Sequence, residues 1–325
     1  MIQVRDLSDY YEQGTSRSVL QLKRDSVKEV ERMSITYRVV EQIFFLLGHT
    51  ADDVIKKQMY RKFFEAKDMR ELPRYMYRKL EVNKVDCKGF PVYILQNKKK
   101  EKRTKKAILF LAGGGGLLRP MGIHFDTVTR LVKKSGATVY FAYYPLAPRH
   151  NVRNALAWLQ GVYFAIQKRY EAKDIVFVGD SAGANLALSL ANIEKGKPRK
   201  IIAISPAPGL ENGLNRDIRK AMEAKDPILN VAMNDLIAKF WAKDVPLDNP
   251  DVNPASIDYS DFSEVMLLYG THEVFYPHVA KLVEKMKKDG ANITCIEKDM
   301  CHDWALCSFF PEGREALKKM VEYIK

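Results

Sequence analysis

A serine set between two glycines is the first group with chemical potential. Gly179-Asp180-Ser181-Ala182-Gly183 follows a short apolar run at 175–178, rich in β-branched residues, and precedes a helix-like run from Ala184. A strand that turns this sharply into a helix holds the serine in a strained backbone, and the glycines remove side chains that would collide as the two elements close. The turn lifts the Ser181 hydroxyl clear of the sheet edge. It also puts the Ala182 amide at a helix N-terminus, where it can donate to an anion. The competing interpretation is a plain turn with a serine helix cap. A second stretch, Gly113-Gly114-Gly115-Gly116, ends the strand-like run 107–111. Without side chains, its amides can approach a ligand closely. A dinucleotide fingerprint fails here, because Leu118 stands where the last glycine should be and no helix begins at once. A phosphate loop would need a trailing Gly-Lys-Ser/Thr, which is absent. An oxyanion hole fits, with two amides from this loop joining that of Ala182; a flexible loop is the alternative.

A serine nucleophile needs a base, and the base needs an orienting acid. Of six histidines, His302 follows the strand-like run 292–297, where the loop at a strand's C-terminal end delivers it to the functional edge of a parallel sheet. Glu273 lies in Gly270-Thr271-His272-Glu273, the loop after the strand 265–269, and is the best-placed carboxylate. His272 competes with His302 as base, and Asp303 competes more weakly with Glu273 as acid. His49, His124, His150 and His278 read as structural. The order Ser181, Glu273, His302, with the acid between nucleophile and base, is one of the chain orders in which a serine hydrolase's triad occurs. Cys295, Cys301, His302 and Cys307 fit no zinc spacing, so no metal and no cofactor is expected.

Short apolar runs alternating with helices carry these groups: strands at 80–84, 90–96, 107–111, 137–143, 175–178, 201–204, 265–269 and 292–297, and helices at 151–170, 278–288 and 311–324. That alternation predicts an α/β fold with a mostly parallel, doubly wound sheet. Residues 80–325 form the expected core, with an insertion or cap segment at about 206–262 that includes a Trp241-containing helix. Residues 1–79 are charged, poor in glycine and helical in pattern. Apolar faces recur over 26–47 and 51–69, which suits an N-terminal helical cap packed on the core or lying over a site as a lid.

The 325 residues carry a net charge of +13, and the cluster at 98–106 holds close to half of that excess. It sits between two strand-like runs and predicts a solvated hairpin tip. No aromatic residues interleave with its charges, which argues against a nucleic-acid partner. The most apolar helical stretch, near 39–47, is too short to span a bilayer, and the first residues lack the apolar stretch of a signal peptide. The four cysteines, Cys87, Cys295, Cys301 and Cys307, follow no disulfide framework, so reduced thiols in a cytoplasm are expected.

From about Ala107 to its end the chain resembles the hormone-sensitive-lipase-like branch of the α/β-hydrolases, the carboxylesterase and lipase group. Ala112-Gly113-Gly114-Gly115 stands where that family carries His-Gly-Gly-Gly. Tyr144-Pro145-Leu146-Ala147-Pro148-Arg149-His150 resembles its Tyr-Arg-Leu-Ala-Pro-Glu-His segment. Gly179–Gly183 matches its nucleophile elbow and Gly270–Glu273 its acid loop, while Asp226-Pro227 and Asn253-Pro254 echo segments of its insertion. Cys301-His302-Asp303-Trp304 takes the place of Gly-x-x-His-Gly-Phe. The resemblance implies an α/β-hydrolase fold, oxyanion donors at Gly114, Gly115 and Ala182, and N-terminal helices that form part of a cap. The chain departs from the family where Ala112 replaces a histidine, Glu273 the more usual aspartate and Asp303 a glycine, and where Glu273-Val274-Phe275 stands for the Asp-Pro-Leu that often begins with the family's acid. The expected activity is hydrolysis of a small or acyl-chain carboxylic ester by Ser181, His302 and Glu273. An amidase, peptidase or acyltransferase would use the same residues. A non-catalytic small-molecule receptor on this fold is the other class, and plant receptors related to the family lack the histidine that His302 supplies.

Overall fold

The computed structural model describes Ser34, residues 71–208 and residues 213–325. All of them belong to one compact unit, Met33–Lys325. The helices expected at 26–47 and 51–69, and the lid they suggest, lie outside the described residues.

One eight-stranded sheet runs in the order β1-β2-β4-β3-β5-β6-β7-β8. Its strands are β1 (Leu80–Cys87), β2 (Phe90–Asn97), β3 (Ala107–Leu111), β4 (Thr138–Ala142), β5 (Ile175–Asp180), β6 (Lys200–Ile204), β7 (Glu264–Gly270) and β8 (Asn292–Lys298). β2 pairs antiparallel with β1 and with β4. Every other pairing, from β4 across to β8, is parallel. Parallel strands joined by helical crossovers are covered on both faces, so β3, β4 and β5 can be apolar at successive positions rather than alternating.

The helices are α1 (Arg74–Lys79), α2 (Gly122–Ser135), α3 (Val152–Gln167), α4 (Ala182–Ile193), α5 (Gly213–Met222), α6 (Val231–Ile237), α7 (Tyr276–Lys288) and α8 (Pro311–Ile324). Two cores follow from the pleat. Leu109, Leu111 and Phe177 face α3, α4 and α7 on one side, through residues such as Leu159, Leu188 and Leu282. Ile108, Phe110, Val176 and Val178 face α2 and α8 on the other, through Val128, Leu131, Leu317 and Met320. Between β6 and β7 the chain carries α5, α6 and a π-helical turn, Ala238–Ala242, continuous with α6.

Two expectations change in detail. The first hairpin is tighter than the spacing suggests: β1 extends to Cys87, and Lys88 (φ 53°) with Gly89 (φ 84°) form a two-residue turn. Two successive left-handed residues match the twist of the flanking strands. The lysine cluster is not a hairpin tip. β2 and β3 are separated in the sheet by β4, so residues 98–106 form a crossover carrying a short 3₁₀ turn, Lys100–Lys102. Arg103 and Lys106 anchor it through Glu81 (2.5 Å) and Asp174 (2.8 Å).

Candidate active site

β5 delivers Ser181 at its C-terminal end, and α4 begins on the next residue. Ser181 adopts φ 51° and ψ −121°, a backbone that a non-glycine residue holds only where its surroundings over-determine it. Here its amide donates to Ile204 O (2.8 Å), and its carbonyl accepts from the Asn185 amide (3.1 Å). A Cβ on Gly183 would run into the Leu111 carbonyl oxygen, so α4 can pack this close to the end of β3 only with glycine there.

Asp180 is fully buried under this turn. Its Oδ2 accepts from the Gly113 amide (2.9 Å) and from His124 Nε2 (3.0 Å). The Met121 amide donates to His124 Nδ1 (2.8 Å). An amide can only donate, so Nδ1 holds the lone pair and Nε2 holds the proton given to Asp180. The glycine loop is thus tied to the strand that carries the serine. Gly114, Gly115 and Gly116 all have positive φ (111°, 65° and 70°), which side-chain-bearing residues rarely adopt. The loop is further held by Tyr144 Oη donating to Ala112 O (2.6 Å) and by the Ala147 amide donating to Gly116 O (2.9 Å). Among the described residues, nothing accepts from the amides of Gly114, Gly115 or Ala182.

Glu273 and His302 follow the ends of β7 and β8. Glu273 is fully buried, and its Oε1 accepts from the Gly270 amide (2.6 Å) and from Ser205 Oγ (2.6 Å). Its Oε2 lies 3.2 Å from His302 Nδ1. The imidazole that meets Glu273 is therefore that of His302; the amide of neighbouring His272 is taken up by Met300 O (3.2 Å). Asp226, in the insertion, accepts from the Ile228 (2.9 Å), Leu229 (3.0 Å) and Val274 (2.9 Å) amides, which ties the insertion to the acid loop. Ser205, just past β6, donates to Glu273 and accepts from the Asp303 amide (3.0 Å). No motif singled out Ser205 or the contact of His124 with Asp180. Only the position of Ser205 at the C-terminal end of a parallel strand could have marked it.

His302 is buried, and its Nε2 has no hydrogen-bond partner. Burial alone would lower the affinity of this ring for a proton. Asp303, Glu273 and Asp226 outweigh burial and raise it well above the ordinary imidazole range. Burial raises the Asp303 and Asp226 carboxyls, while the charge of His302 opposes both shifts. Of the other histidines, His150 packs edge-on against Phe90 (5.2 Å between ring centroids), and His278 is buried with both ring nitrogens unpartnered. Among the described residues, no group of three or more His, Cys, Asp or Glu side chains is arranged to hold a metal ion, and no helix is long and apolar enough to cross a membrane.

A family model described as alpha/beta hydrolase fold matches residues 108–306, more than half of the chain. A curated esterase of Acinetobacter venetianus is 26% identical over 212 residues, covering 63% of this chain and 70% of that protein. A carboxylesterase/phospholipase of Mycobacterium tuberculosis is 36% identical over 98 residues, covering 29% of this chain and 26% of that protein. Among solved structures, one described as a putative esterase from Staphylococcus aureus superposes with a TM-score of 0.74 at 22% identity, covering 84% of this chain and 93% of that one. A hormone-sensitive-lipase homologue from a metagenome library gives 0.73 at 22% identity, covering 88% and 97%. At that identity the structural likeness speaks to the fold alone.

Proposed function

The chain belongs to the alpha/beta hydrolase fold family, and from that premise we propose that it is a serine carboxylic-ester hydrolase. Ser181 attacks the ester carbonyl as His302 Nε2 takes its proton. Glu273, on the opposite ring nitrogen, fixes the tautomer and stabilises the imidazolium. The amides of Gly114, Gly115 and Ala182 donate to the oxyanion. His302 then protonates the leaving alcohol, and a water molecule repeats the sequence on the acyl-enzyme to release the acid. The observation that carries this reading is Glu273 Oε2 at 3.2 Å from His302 Nδ1, which leaves Nε2 as the working nitrogen. The names of the Acinetobacter and Mycobacterium relatives point the same way. No disulfide joins Cys87, Cys295, Cys301 or Cys307, which suits a reducing compartment and a cytoplasmic site of action.

The test is hydrolysis of short-acyl p-nitrophenyl esters together with labelling by a fluorophosphonate probe. Both should occur in the unaltered protein and be lost in a folded Ser181→Ala variant. Undiminished turnover in that variant would refute the assignment. His302→Ala should cost at least about a thousandfold in kcat, whereas His272→Ala should leave most of the rate intact. The reverse ranking would move the base to His272.

A further inference from the structure

Asp303 is the carboxylate that the triad leaves unexplained. It stands immediately after the imidazole, in a left-handed backbone (φ 59°, ψ 22°) that a glycine would adopt without strain. That conformation is fixed from both sides. The Asp303 amide donates to Ser205 Oγ (3.0 Å), and its carbonyl accepts from the Leu306 amide (3.0 Å). The side chain is thereby aimed at the ring: Asp303 Oδ2 lies 3.4 Å from His302 Nε2, the nitrogen opposite the one that meets Glu273. This is an ion-pair distance without hydrogen-bond geometry, so the bonding direction of Nε2 stays open. Asp303 Oδ1 is buried and has no partner at all. A carboxylate in that position is stable only when a positive charge stands beside it.

We infer that Asp303 is a positioning residue for the base: with Glu273 it brackets the imidazole between two carboxylates, favouring its charged form both in the resting enzyme and when it has taken the Ser181 proton. This rests on the ester-hydrolase reading. In acylation the O–H bond of Ser181 breaks, its proton passes to Nε2, and the oxygen's electron pair forms the bond to the acyl carbon. The imidazolium so formed lies between two negative groups. The same arrangement charges the ring before substrate arrives, and that proton must leave for solvent before Nε2 can accept another. Asp303 therefore strengthens the base and sets the pH at which it is free to act. The other ionisable groups facing this pair are Asp226 from the insertion, Asp180 from the end of β5, His124 from α2 and Cys307 from the turn after Trp304. Of these, the charges of Asp226 and Asp180 add to the negative field. The surrounding carboxylates raise the proton affinity of the ring against its burial, while burial raises the Asp303 carboxyl against the opposing charge of the ring.

The experiment is the pH profile of kcat/KM for a p-nitrophenyl ester in the unaltered protein, Asp303→Asn and Asp303→Gly, with the His302 ring titrated by NMR in each. Asparagine and glycine both tolerate the left-handed backbone, so at least one variant should retain the fold. Removing the charge should move the acid limb and the ring titration at least one pH unit toward acid, a gain of about tenfold in kcat/KM well below the limb. Folded variants whose limb and ring titration coincide with those of the unaltered protein, or move toward alkali, would overturn the inference. A uniform loss of rate at every pH with the limb unmoved would also overturn it, since that is the mark of a structural role. If the unaltered protein shows no Ser181-dependent turnover at any pH, the ester-hydrolase reading fails by itself. The ring titration still decides the role of Asp303.

Discussion

Asp180 precedes the proposed nucleophile, yet its carboxylate serves the neighbouring loop. It accepts from the Gly113 amide and from His124, so an imidazole on α2 helps to hold the loop that carries the proposed oxyanion donors. His124→Ala would leave Oδ2 with the Gly113 amide alone, and Oδ1 already lacks a partner. Losing a buried hydrogen bond to a charged group costs about 2–3 kcal/mol, which urea denaturation would register. With the loop less firmly placed, kcat should fall about tenfold or more while KM changes little, as expected when donors to an oxyanion lose alignment. His124→Gln, which keeps an N–H donor, should recover part of both losses; full stability and rate in the alanine variant would rule this role out. The placement of Ser181, Glu273 and His302 beyond strand ends was legible in the sequence because each follows a recognisable apolar run, and in a parallel sheet the strand ends converge on one edge. The supports were not. His124 and Asp180 are 56 positions apart and on different elements, and a serine after a strand, such as Ser205, carries no spacing signature.

At the scale of elements, α6 and its π-helical extension close over the glycine loop. A Cβ on Gly115 would meet the side chain of Ile237, and one on Gly116 would meet the ring of Trp241. Trp241 is itself buried and lies 6.1 Å from the Tyr144 ring, whose hydroxyl holds Ala112. The insertion thus shapes the space above the proposed oxyanion donors. Trp241→Ala should cost about 3–5 kcal/mol through the cavity it leaves. In a chain-length series of p-nitrophenyl esters it should also raise the rate for bulky acyl groups relative to acetate. An unchanged ratio would place the acyl group elsewhere. The parallel strands were legible because burial on both faces makes them continuous apolar runs, and the strandless stretch between β6 and β7 was legible by its lack of one. The connection at 98–106 was not, because charge marks exposure and says nothing of which strands the exposed segment joins. Only the insertion of β4 between β2 and β3 distinguishes a crossover from a hairpin.

For the molecule as a whole, buried titrating groups set how stability depends on pH. His302, whose proton affinity is raised on folding, contributes stability that is fully present below about pH 6.5, where the unfolded ring ionises, and is lost as pH rises toward its folded value. Asp226 and Asp303, also raised, act in the same sense from lower pH: their contributions are complete only below the ordinary carboxyl value of 3.8 and are lost as pH rises, that of Asp303 toward about 8. Stability should therefore decline on the alkaline side, a trend that urea midpoints between pH 7 and 10 would trace. His278 runs the other way. Burial, with Arg219 and Lys281 nearby, lowers its pKa to about 4, so the native ring stays neutral while the unfolded ring charges. Its contribution is complete above about pH 6.5 and is lost as pH falls toward 4, a span worth about 3 kcal/mol. The ring nitrogens have no partners to lose, so His278→Leu should be tolerated, and it removes the group that must charge. The variant should gain stability over the unaltered protein at pH 4.5 and gain much less at pH 8. An equal difference at both would mean that His278 acts on stability through packing alone, and that the acid limb belongs to other groups.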